Sequence, residues 1–140
     1  MFEFIEGTFE EINPSYLVVN CSGVGFMVEI PLSSYAYFKN KEKGKVFLHQ
    51  VIREDAHLLF GFASKKERTL FRALISVNGV GANTARMMLS SLETDELIRA
   101  VVKEDIATIK SIKGIGLKTA QRLIIELKDN LSKFEISETG

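Results

Sequence analysis

The chain of 140 residues carries 18 basic and 18 acidic side chains and is 46% hydrophobic. That composition suits a soluble globular protein of one ordinary domain or two small ones. No apolar run reaches the roughly 20 residues of a membrane helix, and the acidic, alternating start Met1-Phe2-Glu3-Phe4-Ile5-Glu6 is not a secretory signal. The single cysteine, Cys21, excludes an internal disulfide and reads as a small buried hydrophobe in a reducing, cytoplasmic compartment.

The first half reads as strands. Residues 2–12 mostly alternate, Asn13-Pro14-Ser15 turns, and 16–21 are β-branched and aromatic. Ser22-Gly23-Val24-Gly25 predicts a second turn, followed by a strand over 26–30. Ser33 to Phe38 fits one helical turn, and Lys39 to Lys45 reads as a basic loop. Strands over 46–52 and 57–62 complete a set of five in about 63 residues, the count and spacing of an OB-type barrel.

At Ser64 the period changes. Ser64-Lys65-Lys66-Glu67 is a capping-box pattern, and Leu70, Phe71, Leu74 and Ile75 recur at helical spacing. Further helices are expected at about 83–91, 95–103, 106–111 and 118–131, with Thr94 capping the second of these. The expected organisation is therefore a β + α two-domain chain: a five-stranded barrel over 1–63, an all-α domain over 64–131, and a flexible tail or linker start over 132–140. With those bounds the barrel has net charge −3, the helical domain +4 and the tail −1. A basic middle beside an acidic N-terminal part points to a polyanionic partner.

The helical part repeats itself at an offset of 35 residues. Ser76 falls on Ser111, Val77 on Ile112, Gly79 on Gly114, Val80 on Ile115, Gly81 on Gly116, Thr84 on Thr119 and Ala85 on Ala120. Apolar positions match on both sides: Phe71 with Ile106, Leu74 with Ile109, Met88 with Leu123, Leu89 with Ile124. Each copy is a helix, a glycine-flanked hairpin and a second helix.

Glycines there allow positive φ and let a foreign backbone approach without a Cβ clash. The apolar residue between them, Val80 or Ile115, is expected to plug between the helices. The following helix then starts with free amides and the positive end of its dipole, an anion site suited to a phosphate. Asn83 and Thr84 open the helix of the first copy, and Lys118, Thr119 and Arg122 that of the second, with Lys113 just before it. No base edge is read, so binding is expected to ignore sequence. The glycines follow helices rather than strands, which argues against a dinucleotide fold.

These segments carry a resemblance. Val77-Asn78-Gly79-Val80-Gly81 and Ile112-Lys113-Gly114-Ile115-Gly116-Leu117-Lys118-Thr119-Ala120-Gln121-Arg122-Leu123, behind an OB barrel, resemble the tandem helix-hairpin-helix motifs of the RuvA family, the Holliday-junction-binding subunits of bacterial branch-migration complexes. Met1 to Gly7, Gly23-Val24-Gly25-Phe26 and the stretch Arg53-Glu54-Asp55-Ala56-His57-Leu58-Leu59-Phe60-Gly61-Phe62 match as well.

The resemblance implies a homotetramer, one or two per four-way junction, that holds the junction open for branch migration in recombination and repair. It implies a RuvB-type hexameric ATPase and a RuvC-type resolvase as partners, and no catalysis or cofactor of its own. It also gives Glu54 and Asp55 the role of an acidic pin, whose carboxylates repel backbones at the crossover.

Two departures stand out. The family often has lysine where this chain has Asn83 and Leu117, which implies a shallower salt dependence here. The family also continues through a linker to a third domain that contacts the motor. This chain stops at Gly140, about where that linker would begin, so the expectation for these residues alone is junction binding without productive motor coupling.

Two other readings compete with this one. A nuclease or glycosylase would need a catalytic acid in a pocket, whereas Asp129 lies 13 residues beyond Gly116 on the polar side of a helix. His49 and His57, with one cysteine, make no metal cluster, and no phosphate loop of the ATPase type occurs. A general single-strand or duplex binder would need a basic-aromatic groove, which the acidic barrel half lacks in sequence.

Overall fold

The structure is a computed structural model that describes the backbone of residues 1–139 and the side chains of residues 1–128. The side chain of Asp129 lies outside the described residues. Five strands come first: β1 (Phe4–Ile12), β2 (Tyr16–Cys21), β3 (Val24–Glu29), β4 (Lys43–Ile52) and β5 (His57–Phe62), with helix α1 (Leu32–Phe38) between β3 and β4. They close into a barrel in the order β1-β2-β3-β5-β4, antiparallel except for a short parallel contact between β3 and β5. This is the expected OB-type barrel.

Closure depends on β1, which pairs with β4 over Phe4–Thr8 and with β2 over Thr8–Ile12. A bulge between Phe9 and Glu11 bends it from one partner to the other. Gly7 sits at the crossing, where a Cβ would lie 2.2 Å from the Asn20 carbonyl oxygen. The interior is filled by alternate residues of the strands, among them Ile5, Leu17, Val19, Val28, Val46 and Leu48, and α1 adds Phe38. Phe60 and Phe62 are also fully buried. Each large side chain removed from water contributes about 1.5–3 kcal/mol. Cys21 is only partly buried, packed against this core.

Three boundaries differ from the sequence reading. The β2–β3 turn is the pair Ser22-Gly23, both with positive φ (54° and 95°), so β3 starts at Val24 and not at Phe26. That two-residue geometry matches the twist of the flanking strands. β4 begins at Lys43, so the end of the expected basic loop is strand: Gly7↔Gly44 and Glu6↔Lys45 are cross-strand partners. β1 begins at Phe4 rather than Phe2.

The helices are α2 (Lys65–Ile75), α3 (Ala82–Ser91), α4 (Thr94–Val102), α5 (Ile106–Lys110) and α6 (Leu117–Thr139). Thr94 is not the cap of α4. Glu93 holds that place, and Glu96 accepts a bond from its backbone N–H at 3.3 Å. The tail expected from residue 132 is instead continuous with α6, since no glycine or proline interrupts 117–139.

The chain divides into two compact units, Met1–Arg68 and Thr69 onward, so the division falls inside α2 and not near residue 63. The first turn of α2 is tied to the barrel. Glu67 accepts hydrogen bonds from Ser33 and Ser34, and Arg68 donates to the carbonyls of Glu3 (2.8 Å) and Leu48 (3.2 Å) and pairs with the Glu3 carboxylate at 2.9 Å. Glu67 and Arg68 are both buried, and burial of such charges is tolerable only with partners of this kind. Ser64 caps the Glu67 amide at 3.2 Å, half of the capping box expected there.

Moving the boundary moves the charge. With Lys65, Lys66, Glu67 and Arg68 assigned to the first unit and residues 132–140 to the second, the units carry −1 and +1. The large asymmetry read from the sequence was a product of where the line was drawn.

Candidate nucleic-acid interface

The 35-residue repeat of the sequence is a repeat of hydrogen bonds. The Val77 amide donates to the Leu74 carbonyl at 3.1 Å, and the Ile112 amide to that of Ile109 at 3.2 Å. Val80 N–H reaches Val77 at 3.0 Å, and Ile115 N–H reaches Ile112 at 3.1 Å. Ser76 Oγ donates to the Ala73 carbonyl at 2.6 Å, and Ser111 Oγ to that of Thr108 at 2.5 Å.

Each hairpin needs its first glycine for conformation. Gly79 has φ 95° and Gly114 φ 90°, a region costly for any residue with a Cβ. The second glycines, Gly81 and Gly116, lack positive φ, and a Cβ built on either would meet nothing within 4 Å. Folding does not demand glycine there. Val80 and Ile115 are 5% exposed, as expected for plugs beneath the loops.

The helices that follow are open at their N-termini. The first helical bond of α3 runs from the Ala85 amide to the Gly81 carbonyl (2.9 Å), and that of α6 from Ala120 to Gly116 (3.0 Å). The preceding amides, of Ala82, Asn83 and Thr84 and of Leu117, Lys118 and Thr119, have no hydrogen-bond partner among the described residues. Neither helix has an acidic residue in its first turn.

The other two helices of this unit are closed. Glu96 reaches back over the start of α4, and the Asp105 carboxylate accepts from the Thr108 amide (3.2 Å) and hydroxyl (2.5 Å) at the start of α5. Those bonds from Thr108 hold the Asp105 carboxyl below its ordinary range. Among the helices α3 to α6, open ends thus occur where the glycines are, and carboxylate-capped ends at α4 and α5.

The side chains around the two hairpins differ. Asn78 and Asn83 flank the first and Lys113 and Lys118 the second, all exposed, with Thr84 and Thr119 partly covered. Arg122, expected beside the second hairpin only, also donates to the Asn78 carbonyl of the first at 3.4 Å, so it joins the two loops. Its guanidinium keeps further N–H donors. Lys118, Gln121, Arg122, Ile125 and Glu126 line a shallow depression along α6.

Glu54 and Asp55 lie on the turn between β4 and β5, both exposed. The turn is closed by Arg53 N–H donating to the Ala56 carbonyl at 2.8 Å. At its base a side-chain nitrogen of Gln50 and His57 Nε2 are 2.6 Å apart.

The end of the basic loop expected over 39–45 is strand, which sequence reasoning missed. Lys43 and Lys45 point outward from β4 on the same face as Phe47, with the buried Val46 between Lys45 and Phe47 facing the interior. The period-two spacing of Lys43, Lys45 and Phe47 was the available signal.

A barrel closed in the OB order, followed by two glycine hairpins that open helices, defines the class of proteins joining an OB-type barrel to tandem helix-hairpin-helix motifs. Comparison with known proteins agrees. Residues 1–61 match the RuvA N terminal domain, and residues 71–129 match the SAM-like Helix-hairpin-helix tandem.

The Holliday junction branch migration complex subunit RuvA of Christiangramia forsetii is 49% identical over 133 residues, 95% of this chain and 69% of that protein. The RuvA of Bacteroides fragilis is 45% identical over 140 residues, 100% of this chain and 70% of that protein, and that of Pseudomonas entomophila is 46% identical over 134 residues, 95% and 65%. The chain belongs to the RuvA family.

Proposed function

We propose that this protein binds the sugar-phosphate backbone of DNA without regard to sequence, and that it selects four-way (Holliday) junctions as a homotetramer. The junction is held open and planar while a RuvB-type hexameric ATPase drives branch migration in recombination and repair, with a RuvC-type resolvase in the full complex. The protein is the non-catalytic, cytoplasmic DNA-binding subunit. No described helix is long and apolar enough to cross a membrane.

The observation that carries the reading is the contrast between helix ends: α3 and α6 present free amides and no acid, while α4 and α5 are capped by carboxylates. Free amides at a dipole's positive end recognise an oxyanion. The backbone-contacting set is Gly79, Val80, Gly81, Asn83 and Thr84 in the first hairpin. In the second it is Lys113, Gly114, Ile115, Gly116, Lys118, Thr119 and Arg122. Val80 and Ile115 act by supporting the loops from below.

Backbone contacts do not distinguish a junction from a duplex. That preference is assigned to Glu54 and Asp55, whose exposed carboxylates, gathered from four subunits at one centre, repel phosphates and disfavour a stacked crossover. The test is binding to a four-way junction, a duplex and a single strand of shared sequence, together with the solution mass of the bound species. Tight junction binding by four subunits, with duplex at least about tenfold weaker, is the expected result. Replacing Glu54→Gln and Asp55→Asn should erase most of that preference while leaving duplex binding intact. Equal affinity of the wild type for junction and duplex would return the protein to a general DNA-binding module.

A further inference from the structure

We infer that the outer face of β1 and β4 is a second DNA-backbone contact, formed by Lys43, Lys45 and Lys65. It rests on the reading of this protein as a junction binder, and it deepens that reading by placing a charge-bearing surface on the barrel, apart from the two hairpins.

The face is set by the pleat. Phe4, Glu6 and Thr8 point outward from β1, and their cross-strand partners on β4 are Phe47, Lys45 and Lys43. Phe4 and Phe47 meet edge to face, with ring centroids 6.5 Å apart. Lys45 Nζ lies 4.3 Å from the centroid of Phe4, and Lys65 Nζ, at the start of α2, lies 6.0 Å from that of Phe47. The rings thus hold two ammonium groups by cation–π attraction instead of leaving them to sweep through solvent.

What these lysines do not touch matters as much. None of the three forms an ion pair with a carboxylate among the described residues. Glu6 is directly across from Lys45 in the ladder, yet Lys45 lies over the Phe4 ring. Several of the barrel's acids are engaged elsewhere: Glu3 on Arg68, Glu10 on Asn20, Glu11 on Tyr16, and Glu67 on Ser33 and Ser34. The first unit is nearly neutral in sum, yet three lysines without a carboxylate partner among the described residues share this one face.

A linear polyanion fits this layout. Alternate residues of a strand are roughly 6.6 Å apart, enough for neighbouring lysines of one strand face to reach different phosphates of one DNA strand. Lys43 and Lys45 have that spacing on β4, and Lys65 extends the row from a second element. The rings are occupied by the lysines they position, so the surface grips phosphates and does not stack bases.

The test uses the full 140-residue chain and a four-way junction built from synthetic oligonucleotides, with affinity measured against salt concentration. For every phosphate that a lysine no longer neutralises, the slope of log affinity on log salt falls by about 0.9. The triple variant Lys43→Ala, Lys45→Ala, Lys65→Ala should lower the slope by about 2.7 and weaken binding at least about tenfold at moderate salt. The corresponding triple Lys→Arg variant should keep both. All three positions are on the surface, so the melting temperature should not move. An unchanged slope in the alanine variant overturns the inference, as does a changed solution mass with the slope intact, which would make the face a contact between copies of this chain. The variant Gly81→Asp, Gly116→Asp separates the two readings. If it loses junction binding while the alanine triple keeps the wild-type slope, only the barrel contact fails. If it binds as the wild type does, the hairpin reading fails and the lysine face is judged on its own slope.

Discussion

The two hairpins share one backbone and differ in charge. Both bury an apolar plug, both turn on a glycine with φ near 90–95°, and both leave three amides free at the start of a helix. The first is flanked by Asn78 and Asn83, the second by Lys113 and Lys118. The shared part is fixed by folding, because Gly79 and Gly114 cannot be exchanged without strain. The differing part lies in exposed side chains that folding leaves unconstrained. The comparison therefore separates an amide contribution, present twice, from a cationic contribution concentrated in the second copy.

The largest effect should come from filling both amide sites. Aspartate suits an N-cap, and nothing obstructs a Cβ at Gly81 or Gly116. The double variant Gly81→Asp, Gly116→Asp should hold or raise the melting temperature, since a cap with dipole complement contributes about 0.5 kcal/mol or more per helix. Junction affinity should nonetheless fall on the order of 100-fold, about 2.8 kcal/mol. Titration by anisotropy alongside thermal melting reads both. Stability and affinity falling together would mean that the glycines serve the fold alone. Of the single variants, Gly116→Asp should cost about threefold more affinity than Gly81→Asp, and the reverse order would dissolve the proposed inequality of the copies.

A smaller effect should follow from adding charge. Asn83→Lys gives the first hairpin the counterpart of Lys118, and Leu117→Lys adds a second cation to the other. Together they should steepen the salt slope of junction binding by up to about 1.8. Identical slopes in wild type and variant would sink the idea that these positions face phosphates.

The smallest effect belongs to the capped helices. Bonds from Thr108 depress the titration of Asp105, so its contribution to stability is complete above the ordinary carboxylate range and is lost as pH falls through the lowered value. Asp105→Asn keeps a capping oxygen without that titration. Its melting temperature should decline less than the wild type's between neutral pH and about pH 2. An equal decline would remove Asp105 from the acid limb.

The hairpins were legible in sequence because their logic is local. A glycine pair around an apolar residue, repeated at a fixed offset, specifies turn, plug and open helix end within seven residues. The barrel itself was legible from strand number and spacing. What escaped was non-local or lacked an apolar signal. Lys43-Gly44-Lys45 reads as loop because charged residues alternate with glycine, and only pairing with β1 makes it strand. The unit boundary moved to Arg68 because the partners of Glu67 are Ser33 and Ser34, more than thirty residues earlier, and that of Arg68 is Glu3. Thr94 ranked above Glu93 as a cap by type, but the reach of Glu96 decided the start of α4.

The first turn of α2 has a consequence for any exchange of parts between relatives. A barrel excised at the end of its last strand would leave behind Glu67 and Arg68, and with them the acceptor for two serine hydroxyls and the guanidinium that clasps the edge of β1 and β4. A chimera joined before Ser64 therefore imports a stranger's helix start into a socket shaped for this one, whereas a graft made after Arg68 carries lock and key together.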